Sequence, residues 1–169
     1  HQCAQLKEQY GVNILIQPSP IRCYTDTEYQ QANIPLSEDL STCDFLLGVK
    51  EVPIPQLIPE KTYCFFSHTI KEQVHNRPLL QAILRNQITL LDYELMVNSQ
   101  NKRVIAFGFF AGMVGAHNAL YAYGERSQSF QLPRLYTLEN YEKVLPFYQN
   151  TNWPPIKIII TGTGRVGQG

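Results

Sequence analysis

Ile158-Ile-Ile-Thr161-Gly162-Thr-Gly164-Arg-Val-Gly167, close to the end of the chain, joins four β-favouring residues to a G-x-G-x-x-G turn. A buried strand that runs into this glycine pattern is the order that a dinucleotide-binding turn requires. We expect Gly162 to make the tight turn, Gly164 to let the backbone approach a pyrophosphate, and Gly167 to let the next helix pack on the strand. We expect that helix, and the remainder of a nucleotide-binding domain, to lie beyond Gly169.

Upstream of this turn, short apolar runs alternate with helical patterns. The patterns predict strands at residues 12–17, 45–49, 63–67 and 88–91, and helices that begin near Thr25, Asn76 and Thr137. This alternation predicts an α/β fold, an open and mostly parallel sheet flanked by helices, which runs into the first strand and glycine turn of a Rossmann domain. We therefore assign residues 1–153 to an N-terminal substrate-binding domain and residues 154–169 to the start of an NAD(P)-binding Rossmann domain.

Charge and cysteine content indicate which partners and which cellular location to expect. Fourteen basic and fourteen acidic residues cancel, so we expect no nucleic-acid or membrane partner, and small molecules or further copies in a homo-oligomer instead. The four cysteines form no C-x-x-C pair, which indicates reduced thiols and a cytoplasmic location. The apolar residues 104–123 contain several small and polar residues, and we interpret them as a strand end followed by a packed helix.

Three predicted strands end at side chains that can exchange protons. Lys50 and Glu51 follow the strand at 45–49, His68 and then Lys71 follow the strand at 63–67, and the strand at 88–91 is followed by acidic residues, namely Asp92 and Glu94. Ligands of open α/β sheets bind beyond the carboxyl ends of the strands, so these groups form an acid/base set at one edge. Each group alone also fits a solvated loop, and Asp92 also fits a cap. No His, Cys or Asp cluster has metal-ligand spacing, so we expect no metal.

Several motifs at these positions are similar to one known family. The segments Gly48-Val-Lys-Glu51, Lys61-Thr-Tyr-Cys-Phe-Phe-Ser-His-Thr-Ile-Lys71, Leu91-Asp-Tyr-Glu94 and Arg103-Val-Ile-Ala-Phe-Gly108 resemble the lysine-forming saccharopine dehydrogenases. The F-F-S-H-T-I-K run resembles the lysine–ketoglutarate reductase part of the bifunctional degradative enzyme in particular. The resemblance implies membership of the alanine dehydrogenase and transhydrogenase superfamily, in which an α/β substrate domain is paired with a Rossmann domain.

The resemblance also implies roles for individual residues. Lys50 and His68 would be the catalytic acid/base pair, and Glu51 and Glu94 would be carboxylates that tune them. Arg103, which alone fits an ordinary surface charge, would hold a substrate carboxylate together with Lys71. The implied reaction joins the ε-amine of L-lysine to 2-oxoglutarate as an imine, which NADH or NADPH reduces to saccharopine, or runs in reverse.

Two other functions are consistent with the residues. An alanine dehydrogenase-like amino-acid dehydrogenase would also use a Lys and a His, and a catalytically inert ligand-binding or assembly domain would need neither. If the chain belongs to an oxidoreductase, we expect these 169 residues alone not to turn over. Such an enzyme needs the second wall of the substrate cleft and the helix that completes the cofactor site.

Overall fold

A computed structural model describes all residues from His1 to Gly169. The chain forms two compact units, His1–Ile105 and Ala106–Gly169. The boundary predicted between residues 153 and 154 separates a substrate-binding domain from a cofactor-binding domain and not two compact units. That boundary remains a prediction.

The first unit is built on a parallel three-stranded sheet, which confirms the predicted α/β class. Its strands are β1 (Phe45–Lys50), β2 (Thr62–Phe66) and β3 (Thr89–Asp92), in the order β1-β2-β3. Tyr63 of β2 is in register with Leu46 of β1 and with Leu90 of β3. The central strand therefore carries the core, and its carboxyl end lies between those of its two neighbours.

Three α-helices belong to this unit: α1 (Gln2–Tyr10), α2 (Asp26–Gln31) and α3 (Arg77–Arg85). The predicted capping box at the start of α2 is present, because the Thr25 hydroxyl accepts from the Glu28 amide and the Glu28 carboxylate accepts from the Thr25 amide. Pro78 occupies the first turn of α3, where a missing N–H costs nothing. The helix α3 connects β2 to β3 and places Leu79, Ala82 and Ile83 in the core.

Two strand predictions in this unit need correction. Residues 12–17 form no strand, only a single parallel bridge between Ile16 and Leu36. The continuous apolar run of β1 is typical of a strand that is buried on both faces, but Phe45, Leu47 and Val49 are exposed and only Leu46 is buried. These three side chains alternate along the strand and share one face, which no element of this unit covers.

The second unit contains α4 (Gly108–Ser127), α5 (Leu145–Asn150) and α6 (Arg165–Gln168). The small residues of α4 allow close packing, as predicted, since a Cβ at Gly112 would overlap the carbonyl oxygen of Val166 in α6. The buried His117 of α4 is a structural residue: its Nε2 lies 2.8 Å from the Pro133 carbonyl oxygen and its Nδ1 lies 2.6 Å from the Tyr148 hydroxyl. No helix of the chain is long and apolar enough to cross a membrane.

Three predictions for this unit differ from the structure. The helix expected from Thr137 is replaced by two 3₁₀ turns, and α5 starts only at Leu145, because Pro146 is tolerated in the first turn of a helix and not in its interior. Residues 158–161 form no strand and Ile159 is 78% exposed, because no neighbouring strand lies beside them to complete a ladder. The helix expected beyond Gly169 begins inside the chain, as the single turn of α6.

Candidate functional site

The ends of the three strands bring several predicted residues to one edge of the sheet. Lys50 at the end of β1 is in register with Phe66 at the end of β2, two residues before His68. Phe65 of β2 is in register with Asp92 at the end of β3, two residues before Glu94. Because the strands are parallel, their carboxyl ends lie side by side, as the sequence predicted.

Glu94 is the centre of the cluster that forms at this edge. Its side chain is only 6% exposed, and it contacts three nitrogen-bearing groups. Its Oε2 lies 3.1 Å from His68 Nδ1, and its Oε1 lies 2.9 Å from Arg103 Nη2 and 3.4 Å from Lys71 Nζ. A buried carboxylate that is shared by two permanent cations and an imidazole is compensated for its loss of hydration.

The electrostatics of Glu94 follow from these contacts. Burial alone would raise the pKa of the Glu94 carboxyl, but the hydrogen bond from His68 and the charges of Lys71 and Arg103 together outweigh burial and lower that pKa below its ordinary value. Glu94 is therefore an anion at neutral pH. Lys71 and Arg103 outnumber Glu94 among the ion-paired groups, but the buried Asp92 carboxylate, whose Oδ1 accepts from the Glu94 amide at 2.8 Å, balances the second cation.

The contact with Glu94 selects one tautomer of His68. A carboxylate only accepts hydrogen bonds, so Nδ1 carries the hydrogen that points to Glu94. Lys71 Nζ lies 3.1 Å from the same Nδ1, but two donors cannot bond to each other, so the partner of Lys71 in this tautomer is Glu94. Nε2 of His68 is then the nitrogen that can exchange a proton with a ligand. The side chain is 31% exposed, which leaves it accessible.

His68 occupies an unusual backbone conformation. Its φ of 56° lies in the left-handed region, which non-glycine residues adopt rarely. Four hydrogen bonds surround this residue. The Ser67 hydroxyl donates to Asp92 Oδ2 at 2.5 Å and accepts from the Thr69 amide at 3.1 Å, while the His68 carbonyl accepts from the Lys71 amide at 3.1 Å and from Asn76 Nδ2 at 3.2 Å.

A tight turn returns Arg103 to the cluster. Val97 and Arg103 form an antiparallel bridge, and the Val104 amide donates to the Met96 carbonyl at 2.8 Å. Asn98 organises the loop between them, because its side-chain oxygen accepts from the amides of Gln100 at 3.0 Å and Lys102 at 2.9 Å. Arg103 is thus brought back by the turn to Glu94, nine residues earlier in the chain.

Two predicted site residues stand apart from this cluster. Lys50 and Glu51 are exposed, and neither takes part in the ion pairs of Glu94. The register of β1 shifts between Leu47 and Lys50, after which Lys50 pairs with Phe66 of β2. Both residues lie at the predicted edge, and their roles remain predictions.

The backbone of the glycine turn in the second unit requires two of its three glycines. Gly162 has a φ of 93°, which a side chain would strain. A Cβ at Gly167 would overlap the Gly162 carbonyl oxygen, whereas nothing lies within 4 Å of the Cβ position at Gly164, the N-cap of α6. The binding of a cofactor by these three glycines remains a prediction.

Sequence reasoning missed three residues that shape the cluster: Ser67, Asn76 and Asn98. Ser67 was treated as the last residue of a strand, and Asn76 as a helix cap, although its side chain makes no cap bond and instead holds the His68 carbonyl. Only the Asn98-Ser-Gln-Asn segment carried a usable signal, because such residues favour turns. No group of three or more His, Cys, Asp or Glu side chains has a geometry that could hold a metal.

Comparison of the sequence with known proteins identifies several relatives of this chain. The chain is 42% identical over 129 residues to α-aminoadipic semialdehyde synthase of Arabidopsis thaliana, which covers 73% of the chain and 12% of that relative. It is 37% identical over 177 residues to the mitochondrial α-aminoadipic semialdehyde synthase of Bos taurus, with coverage of 94% and 19%. A saccharopine dehydrogenase [NAD(+), L-lysine-forming] of Neurospora crassa is 33% identical over 120 residues, with coverage of 68% and 32%.

These relatives confirm the resemblance inferred from the motifs. The chain spans less than one fifth of the length of the Arabidopsis and bovine proteins. Residues 1–114, which include the whole Glu94 cluster, match the model of a single domain family. The parallel sheet, the residues at its carboxyl edge and this match lead to one conclusion: the chain belongs to the family described as alanine dehydrogenase/PNT, N-terminal domain.

Proposed function

We propose that this chain supplies the substrate-binding side of an oxidoreductase that reduces the imine of L-lysine and 2-oxoglutarate to saccharopine, or catalyses the reverse reaction. The observation that carries the proposal is the buried Glu94 carboxylate, which holds His68, Lys71 and Arg103 at the carboxyl edge of a parallel sheet. The names of the relatives, which include lysine-forming saccharopine dehydrogenase, support this substrate class.

In this proposal His68 and Lys50 exchange protons with the oxygen and nitrogen atoms bonded to the reacting carbon. Imine formation removes the carbonyl oxygen of 2-oxoglutarate as water, so two protons must leave the neutral ε-amine of lysine and two must be delivered to that oxygen. Nε2 of His68 is free for one of these transfers because Nδ1 is engaged by Glu94. Lys50, at the end of the neighbouring strand, serves another, and Glu51 tunes the charge beside it.

Arg103 and Lys71 bind the substrate carboxylates. Both side chains contact Glu94, and they are 51% and 45% exposed, so a ligand can reach them. An Arg guanidinium can bind a carboxylate with two parallel hydrogen bonds, which suits a dicarboxylate such as 2-oxoglutarate.

The cofactor in this proposal is NAD or NADP. Gly162, Gly164 and Gly167 would hold its pyrophosphate, since the turn leaves open space at Gly164 and tolerates no side chain at the other two positions. The bound cofactor supplies the hydride that reduces the imine. A cytoplasmic location and a homo-oligomeric state remain predictions, and the bovine relative is named as mitochondrial.

The test is a parallel assay of the full-length protein from the complete reading frame. NADH and NADPH oxidation is followed with L-lysine plus 2-oxoglutarate and, separately, with pyruvate plus ammonia. We expect oxidation only with the first pair, and saccharopine as the product by mass spectrometry.

Two results would contradict the proposal. Turnover with pyruvate plus ammonia alone would identify an alanine dehydrogenase-like enzyme. Absence of turnover with either pair, from protein that is folded and binds NADH or NADPH, would favour a ligand-binding or assembly domain. The Glu38→Gln variant is a suitable control for the assay, because Glu38 is exposed and far along the chain from the cluster.

A further inference from the structure

One buried hydrogen bond ties the end of β2 to the end of β3. The Ser67 hydroxyl donates to Asp92 Oδ2 at 2.5 Å, and the two residues are only 1% and 7% exposed. The other oxygen of Asp92, Oδ1, accepts from the Glu94 amide at 2.8 Å. A single carboxylate therefore fixes a residue next to His68 on one strand and the backbone of Glu94 on the other.

The hydrogen bond between Ser67 and Asp92 restrains His68 and Glu94, whose side chains contact each other in the cluster. His68 directly follows Ser67, and its Nδ1 meets Glu94 Oε2 at 3.1 Å. His68 is also in the left-handed backbone region, where a non-glycine residue stays only if its surroundings hold it there. Ser67 provides this restraint on the amino side, since its Oγ also accepts from the Thr69 amide at 3.1 Å.

Asp92 has no oxygen left without a protein donor. Both of its oxygens already accept hydrogen bonds from the chain, and the side chain is buried below the cluster. A role in holding the cluster fits these contacts better than direct contact with a substrate. A hydrogen bond to a carboxylate is charge-assisted and stronger than one between neutral groups, which suits a restraint.

We propose that Ser67 and Asp92 are positioning residues, which hold the imidazole of His68 against Glu94 so that Nε2 points to the substrate. The inference rests on the proposed function for its kinetic consequence, and on geometry alone for the restraint itself. Loss of the tie should misplace His68 without removing any group that binds the substrate carboxylates.

The test compares three variants of the full-length protein. Ser67→Ala removes the hydroxyl, and Asp92→Asn keeps the shape and the turn to Glu94 but replaces the charged acceptor. Asp39→Asn is the matched control. Asp39 Oδ1 accepts from the amide two residues later, that of Ser41, at 2.8 Å, as Asp92 Oδ1 does from Glu94, but Asp39 connects no two strands. Circular dichroism checks that each variant is folded.

Kinetics provide the first measurement. We expect Ser67→Ala to lower kcat about tenfold to a hundredfold, the range that a displacement on the order of 1 Å produces. The KM for 2-oxoglutarate should stay within about twofold, since the contacts of Arg103 and Lys71 with Glu94 do not involve Ser67. Asp92→Asn should act in the same direction and Asp39→Asn should leave kcat unchanged.

Chemical labelling provides a second measurement that needs no activity. Diethyl pyrocarbonate modifies accessible imidazole nitrogens, and the exposed His75 serves as an internal reference in the same protein. Release of Nδ1 from Glu94 should raise the labelling rate of His68 relative to His75 at least about twofold in Ser67→Ala and Asp92→Asn, by exposing the second ring nitrogen.

The two measurements separate the two proposals. If the wild-type protein forms no saccharopine, the proposed function fails, and the labelling ratio alone decides on the restraint. An unchanged ratio in both folded variants, or a kcat within about twofold of wild type in both, would overturn the role of Ser67 and Asp92. If one variant does not fold, the other decides by the same criteria.

Discussion

Replacement of Glu94 by Gln tests the centre of the cluster, because it removes one negative charge and preserves the shape of the side chain. The carboxylate contacts His68, Lys71 and Arg103 at 3.1, 3.4 and 2.9 Å. A glutamine keeps one acceptor oxygen but turns an NH₂ group toward side chains that are themselves donors. Lys71 and Arg103 would then lie beside a neutral amide, whose NH₂ group repels the N–H donors of these side chains.

The expected loss of stability can be worked from these contacts. Arg103 and Lys71 are 51% and 45% exposed, so solvent screens their pairs with Glu94, and each contributes on the order of 0.5 kcal/mol. The hydrogen bond between His68 and Glu94 contributes about 1 kcal/mol. Since the glutamine oxygen preserves part of one contact, we expect the free energy of unfolding to fall by about 1–2 kcal/mol at pH 7.

The same substitution has a definite dependence on pH. The pKa of Glu94 is lowered in the folded protein, so its ionised form stabilises the fold above the ordinary pKa of a glutamate, about 4.3. That contribution is lost as the pH falls through the folded-state pKa. The stability difference between wild type and Glu94→Gln should therefore shrink as the pH falls toward 3.5.

Urea unfolding of the 169-residue chain, followed by far-UV circular dichroism, measures the difference. With a slope of about 1–3 kcal/mol/M, the midpoint should fall by about 0.3–2 M. Trp153, the single tryptophan, lies in the second unit, so the urea midpoint measured by its fluorescence should not change. Glu38→Gln, which removes the same charge at an exposed position, serves as the matched control. A midpoint shift below about 0.2 M at pH 7, or a difference that grows toward acid pH, would refute the reasoning.

Three further predictions concern the full-length enzyme. Lys50→Met and His68→Gln should each lower kcat by roughly 10²–10⁴, the usual contribution of a general acid or base, and near-normal turnover of both would exclude the acid/base assignment. Arg103→Met should raise the KM for 2-oxoglutarate more than it lowers kcat, because a carboxylate ligand is bound in ground and transition states alike; an unchanged KM would remove Arg103 from the site. Gly164→Ala should weaken NADH or NADPH binding in calorimetry without disturbing the turn, since the Cβ position at Gly164 is open. Gly167→Ala should disturb the turn itself, because its Cβ would overlap the Gly162 carbonyl oxygen. Equal affinity in the wild type and both variants would place the cofactor elsewhere.

The sequence predicted the parallel sheet and the residues at its edge for local reasons. Continuous apolar runs at 45–49, 63–67 and 88–91 favour short strands, and strands joined by crossover connections of a dozen or so residues lie parallel. Parallel strands place all their carboxyl ends on one side, so His68 and Glu94 could be assigned to the same edge without coordinates. The capping box at Thr25 was predictable for the same reason, because both of its partners lie within one turn.

The tertiary structure decided what depends on contacts between distant parts of the chain. The pattern of β1 could not reveal that one face lies uncovered, because burial is a property of the neighbours of a strand and not of its own residues. The isoleucines at 158–160 have every local property of a strand, yet a ladder needs a second chain segment to accept and donate its hydrogen bonds. The meeting of Glu94 with His68, Lys71 and Arg103, and the tie between Ser67 and Asp92, likewise depend on strand register and on one turn, which side-chain chemistry alone does not encode.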